Sequence, residues 1–308
     1  MTWITLACIA AFFKAMGTIT EKEVLFNKSV HDYISGGSLL VAVFSLPLLY
    51  FVKDMSLESN SIVLIFLLSL LSVVSAISLG YVVKKIDISE SSSLMSVTPI
   101  IVALFGAVFI GELLSAMQVI GILISSIGLF VLEINFKRGK NNKMELNESV
   151  EIENIKNNKD RLKMYFILLI GLVGFGFSAI GDRYAIHYVG IDPLLFLVIV
   201  QLFIVLNMFV FDIIRDVLFG KNNARNKLLD ADLFSKKAFW ANILFIIAHR
   251  ITHIFAINLV AAGLLNAVKQ INVVFVTVLG GKLFKEDHLW KKTIACLIIV
   301  GGVLMVIV

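Results

Sequence analysis

The sequence predicts an all-α polytopic membrane protein: ten transmembrane helices arranged as two inverted five-helix repeats. Three observations lead there. First, 59% of the 308 residues are hydrophobic and only 16% are charged, with a mean hydropathy of +0.94. Soluble domains sit nearer half apolar and a quarter charged. Second, the apolar residues fall into runs of about 20, the length a helix needs to cross the hydrocarbon core. Third, the chain repeats itself. Ser91–Leu113 (SSSLMSVTPIIVALFGAVFIGEL) is echoed 174 positions on by Leu265–Asp287 (LNAVKQINVVFVTVLGGKLFKED). Gly106 falls on Gly280 and Glu112 on Glu286; further along, Ile120, Leu123, Ile124 and Gly128 fall on Ile294, Leu297, Ile298 and Gly302. A constant offset held across two helices marks an internal repeat.

In order, the runs are 2–25, 32–52, 61–83, 88–111, 114–135, 164–187, 192–214, 238–260, 262–284 and 289–308. The first begins at Thr2 with no basic stretch before it, so it reads as a first span and not as a cleaved leader. Spans one and two recur at offset 161, which places Glu21-Lys22 on Asp182-Arg183 and Ala15 on Gly176. The offset grows to 174 because Phe219–Asp232 (FGKNNARNKLLDAD) replaces the shorter turn Lys53–Asn60. Between spans five and six, Phe136–Leu162 is rich in Lys, Asn and Glu and has no apolar helical period, as expected of a solvated linker. The expected organisation is a first repeat over 1–135, a linker over 136–162 and a second repeat over 163–308. An odd number of spans per repeat forces the copies into opposite orientations, the plan of many secondary transporters.

The net charge of +5 does not indicate nucleic acid, because the basic residues lie in short loops between apolar runs and not on one soluble face. Of the 27 Lys and Arg, 22 lie near the loops after spans one, three, five, seven and nine. By the positive-inside rule that side is cytoplasmic, so the linker is expected inside, both termini outside, and the chain in the cell (inner) membrane. Cys8 and Cys296 both lie in apolar runs and read as small hydrophobes, not as a disulfide framework.

These features resemble the EamA family of the drug/metabolite transporter superfamily. Each five-span unit has a small-residue-rich helix, a Phe-x-x-Glu turn (Phe109 to Glu112; Leu283 to Glu286 with Leu for Phe) and a Gly-containing last helix. The likeness covers the chain apart from the linker. It is carried best by Pro99, Gly111-Glu112, Gln118, Gly121 and Gly128; the second unit departs from it, with Val273 in place of Pro99 and Lys285 in place of Gly111. The resemblance implies a ten-helix bundle moving small organic solutes by alternating access, in a family with amino-acid and metabolite exporters and a likeness to nucleotide-sugar and sugar-phosphate carriers. It also implies cytoplasmic termini for many members, whereas the charge count places them outside.

An ionisable group inside a membrane helix costs about 2.5–3.5 kcal/mol on insertion scales, so each one needs a reason to be there. Lys269 stands near the middle of span nine, and Asn266, Lys269 and Gln270 share one helix face. Either Lys269 meets an anionic group of the solute, with Asn266, Gln270 and the repeat-equivalent Ser92 beside it, or it pairs with an acid or snorkels to the interface. His249, Arg250 and His253 form a second group in span eight. His249 and His253 share a face at a spacing that suits a metal, but no third ligand is evident and no metal is expected. The open readings are a cationic or protonatable wall of the solute site, or histidines bonded to helix backbones. Glu21, Lys22, Asp182 and Arg183 are expected to bond across helices as structural or gating groups, since adjacent helical residues do not face each other. Lys14, deep in span one, either pairs with an acid or lines a cavity. Pro99 breaks an apolar run. Glu112 and Glu286 lie at helix boundaries, where each is expected to cap the next helix.

Several patterns carry no chemistry. Gly171, Gly174 and Gly176 lie inside a span with no strand before them, so they are packing positions and not a nucleotide fingerprint. Trp3, Trp240 and Trp290 lie near span ends, as interfacial residues do. No nucleophile–base pair, phosphate loop or cofactor motif suggests an enzyme. The sequence-level expectation is a secondary transporter of a small metabolite carrying a carboxylate or phosphate, such as an amino acid or phosphorylated metabolite. Its partners are the solute and the lipid bilayer. The alternative is a multidrug or organic-cation exporter, which would need a cavity carboxylate.

Overall fold

The computed structural model describes residues 2–25, 30–85, 97–139, 158–219, 234–276, 279 and 289–307, and the regular elements among them are all helical. They are α1 (Thr2–Leu25), α2 (Val30–Ser45), α3 (Ser59–Lys85), α4 (Thr98–Ile110), α5 (Ala116–Gly139), α6 (Asn158–Arg183), α7 (Pro193–Phe219), α8 (Lys237–Leu259), α9 (Ala262–Val268), α10 (Ile271–Phe275) and α11 (Leu289–Ile307). Among the described residues, six stretches are long and apolar enough to cross a membrane: Thr2–Glu21, Tyr33–Phe51, Ser59–Tyr81, Leu162–Tyr188, Pro193–Ile214 and Lys237–Leu259. Thr98–Ile110, Ala116–Val131 and Ile294–Ile307 are shorter apolar helices.

Local chemistry sets the ends. α2 passes into a 3-10 segment at Leu46–Phe51, where Pro47 has no N–H to return to an α-helical carbonyl. Pro99 sits in the first turn of α4, where a missing N–H costs nothing. It therefore starts a described helix, and does not interrupt one. α4 ends at Gly111, whose φ of +69° favours glycine, and the Glu112 N–H then turns back to Gly106 O at 3.0 Å. α6 widens into a π-helical turn, Tyr184–Tyr188, which Gly190 closes at φ +82°. Asp192 Oδ1 caps α7 by accepting from Leu194 N at 2.9 Å and Leu195 N at 3.2 Å, with Pro193 as the first helical residue.

Helix ends and apolar runs do not coincide everywhere. α5 runs to Gly139 and α6 begins at Asn158, both inside the 136–162 stretch expected as a solvated linker. An apolar stripe is needed only where a helix meets lipid or core; beyond that, good helix formers continue the ladder in water. α7 likewise outruns its apolar run and reaches Phe219. Span nine is not one helix: it breaks between α9 and α10 at Lys269 and Gln270. Ser92, Glu286 and the side chain of Lys22 lie outside the described residues.

The helices pack as pairs across the chain: α1 on α8, α3 on α6, α2 on α7, α4 on α9, and α5 on α11. Small residues set the closest approach. A Cβ on Gly128 would lie 2.8 Å from Ile299 N, one on Gly121 would lie 2.7 Å from Gly302 O, and one on Gly302 would strike Ser125 N. Backbones can meet at that range only where side chains are missing, which is how membrane helices gain packing energy without help from water. The main core gathers Ile65, Val102, Phe196, Leu197, Ile257, Leu265 and Ile299, all at most 1% exposed.

Placing a branched side chain at this crossing should force the helices apart. Gly128→Val and Gly302→Val are each expected to cost about 1–3 kcal/mol, the range for overpacked sites. Thermal unfolding of the purified protein in detergent should show a lowered midpoint for both.

Candidate functional site

Two polar assemblies stand inside the bundle. The first gathers the ends of four helices. Arg183, 8% exposed, donates from Nε to Glu112 Oε1 at 2.9 Å, and from Nη1 to Ile257 O and Asn258 O at 2.7 Å each. Its guanidinium also lies 5.8 Å from the ring centre of Tyr188. The carbonyls it answers belong to the last turn of α8, where helix geometry provides no donor. The other oxygen of Glu112, Oε2, accepts from Ala262 N at 3.0 Å, in the first turn of α9. Glu112 does therefore cap a helix, but not the next one as expected. α5 is capped by its own residues: Gln118 N donates to Ser115 Oγ at 3.2 Å, and Ser115 N donates to Gln118 Oε1 at 3.0 Å. That box freed Glu112 to reach across to α6 and α9.

The second assembly centres on Lys269. Lys269, at the break between α9 and α10, is 5% exposed, and its Nζ stands 3.2 Å from His253 Nδ1. A lysine ammonium can only donate, so that imidazole nitrogen accepts, and His253 carries its proton on Nε2. His249 stacks on His253 with ring centres 5.8 Å apart, and its Nδ1 lies 2.8 Å from Ala10 O, a group that can only accept. His249 thus keeps its proton on Nδ1, and the two rings are opposite tautomers. Arg250, Asp182 and Lys14 lie within electrostatic reach of Lys269, and Asp182 is shared between Arg250 and Lys269. Glu21 is the acid that faces Lys14. Lys14 is exposed on α1 and lies within electrostatic reach of His253 and Lys269.

The break is built without Gly or Pro. Successive hydrogen bonds tighten to the i→i−3 pattern at Gln270 (to Ala267 O), Asn272 (to Lys269 O) and Val273 (to Gln270 O). Asn266 spends its amide on Ala262 O at 2.9 Å. Gln270 is 6% exposed, and neither its Nε2 nor its Oε1 has a hydrogen-bond partner. Asn266, Lys269 and Gln270 are thus all buried together, but only Gln270 leaves its amide unanswered.

The structure draws Lys269, Arg250, His249 and His253 into one electrostatic group and adds Lys14 and Asp182, the chain neighbour of Arg183. Sequence reasoning passed over a further polar node. Tyr33 Oη donates to Asn242 Oδ1 at 2.7 Å, while Asn242 Nδ2 donates to Gly17 O at 2.8 Å and Thr20 Oγ1 at 3.1 Å, tying α1 and α2 to α8. An asparagine inside the apolar run around Phe239–Leu244 was its only sign.

The family model of EamA-like transporters matches residues 1–134. A solved crystal structure, described only as that of a "protein", aligns with a TM-score of 0.71 at 13% identity, covering 98% of this chain and 95% of that one. At that identity the likeness speaks for the fold alone. The curated proteins include no match.

The Arg183–Glu112 pair can be tested without a ligand. Removing one member leaves the other charge buried, and Glu112→Gln should cost about 3–5 kcal/mol. The double variant with Arg183→Gln should recover part of that loss, as read from unfolding midpoints of both proteins in the same detergent.

Proposed function

With the family model of EamA-like transporters matching residues 1–134, we propose that the chain is a secondary transporter moving a small organic metabolite by alternating access. The metabolite carries a carboxylate or phosphate. The observation that carries this reading is the group around Lys269: buried Lys269 at the junction of two short helices, with half-buried Arg250 and exposed Lys14 within electrostatic reach of it. Membrane carriers bind solutes at such interruptions, near mid-membrane and between repeats. The walls of the proposed site are α1, α6, α8 and the α9–α10 break.

The pairing of helices supports two halves related by a two-fold axis. Exchanging the halves turns the α1–α8 contact into the α6–α3 contact and leaves α2–α7, α4–α9 and α5–α11 unchanged. The same exchange works residue by residue. Gly128 against Ile299 becomes Gly302 against Ser125, each pair related by the offset of 174. Five spans per half then make the axis lie in the membrane plane. On this reading the Arg183–Glu112 assembly closes the side poor in basic residues, and the linker is cytoplasmic. An exporter of organic cations fits less well, because the interior acids Asp182 and Glu21 each already face a lysine or arginine.

Reconstituted in liposomes, Lys269→Met and Arg250→Met should each lower counterflow of acidic metabolites at least tenfold, while size-exclusion profiles and melting show a folded protein. Transport of candidate anions at the unaltered rate in both variants would refute the assignment.

A further inference from the structure

The interior group is one negative charge short. Lys14 faces Glu21, whereas Arg250 and Lys269 share the single carboxylate of Asp182. The hydrogen bond from Lys269 requires a neutral His253, and His249 already donates to Ala10 O. Arg183 and Glu112 balance each other elsewhere. Among the described residues of this group, three cations therefore meet two acids. Excess charge inside a membrane protein is costly unless something answers it. At the next position in the chain, the Gln270 amide is buried with its donor and its acceptor both unpaired. A buried amide is expected to be paired, by protein, by water or by a ligand.

Resting on the transport reading above, we propose that the solute is a hydroxy-monocarboxylate. Its carboxylate completes the Arg250–Lys269 pair, and its hydroxyl, which donates and accepts at once, pairs with both ends of the Gln270 amide. The charge balance separates this class from its neighbours. A zwitterionic amino acid brings no net charge and leaves the site positive. A phosphate monoester dianion overshoots by one, and neutralising it by protonating His253 would break the Lys269–His253 bond. An alkyl carboxylate balances the charge but leaves the Gln270 amide empty.

The test uses the full chain purified in detergent and titrates thermal stabilisation with matched probes: lactate against propionate, hydroxyisocaproate against isocaproate, and then alanine and glycerol phosphate. Each hydroxy acid should act at roughly tenfold lower concentration than its alkyl partner, the ratio that corresponds to one well-made hydrogen bond. Alanine and glycerol phosphate should be weaker than lactate at neutral pH. Gln270→Leu should bring the hydroxy-to-alkyl ratio close to one, and Lys269→Met should remove the response to every carboxylate. Equal response to lactate and propionate in the native protein, or stronger response to alanine or glycerol phosphate, overturns the inference and leaves an anion carrier standing. The native-protein comparison needs no variant, so a Gln270→Leu protein that fails to fold does not spoil the test. No response to any anion overturns the transport reading and this inference together.

Discussion

Inside a bilayer no water is at hand to answer a charge or a loose peptide group, and the arrangement around Arg183 meets that constraint for four helices at once. α8 ends with carbonyls that have no partner in their own helix; two of them receive the Arg183 guanidinium. α9 starts with orphan N–H groups; Glu112 takes one of them. The two side chains then neutralise each other at 2.9 Å. Each group would be expensive alone, and together they convert three separate deficits into one closed set of bonds. The cost is geometric: the ends of α4, α6, α8 and α9 have to meet at one point. Gly111 and the capping box of α5 make that possible, because they end α4 sharply and leave the Glu112 side chain unspent.

Below that closure the rules reverse. The group around Lys269 does not close on itself. Its cations outnumber its acids, an amide is left unpaired, and Lys269 and Gln270 stand where span nine is interrupted. A folded interior tolerates few such debts, because an unpaired buried group costs more than a made hydrogen bond returns. The contrast between a fully answered assembly at one end and an unanswered one in the centre separates scaffold from site more sharply than either does alone. It is also why the proposed solute is described by what is missing: one negative charge and one hydroxyl-like group.

Much of this was legible in the sequence, and the reasons for what was not are specific. Apolar run length found the helices because the bilayer thickness is fixed; the constant offset points to a repeat because a duplicated unit keeps its internal spacing. Lys269, Arg250, His249 and His253 stood out because a charge within an apolar run is costly. Asp182 was visible too, but as a presumed clasp; only the packing of α6 near α8 brings it between Arg250 and Lys269. The break at Lys269 gave no conventional signal, since neither Gly nor Pro marks it, and a tightening of three hydrogen bonds leaves no trace in residue type. The partner of Glu112 was hidden for a different reason. Two acceptable caps compete at that boundary, and the choice between them depends on residues 71 and 150 positions away.

The repeat also shows where symmetry stops. Gly128 and Gly302 keep equivalent contacts, so the scaffold treats the halves alike. The charges do not follow: Arg250 answers to Ala76, Lys269 to Met95 and Lys14 to Phe175 at the repeat offsets. If the two halves rock about an in-plane axis, a symmetric scaffold lets the inward and outward forms have similar energies, which a carrier needs in order to cycle. A symmetric binding site, however, would duplicate the cations and raise the burial cost without adding a second useful solute position. In the proposed carrier, cations on one set of walls keep the frame reversible and give the solute one orientation. In that proposed cycle the Arg183–Glu112 pair opens and re-forms, and breaking a buried pair outright costs about 3–5 kcal/mol. That cost falls if water reaches the pair as the helix ends part, so opening and hydration have to be the same event.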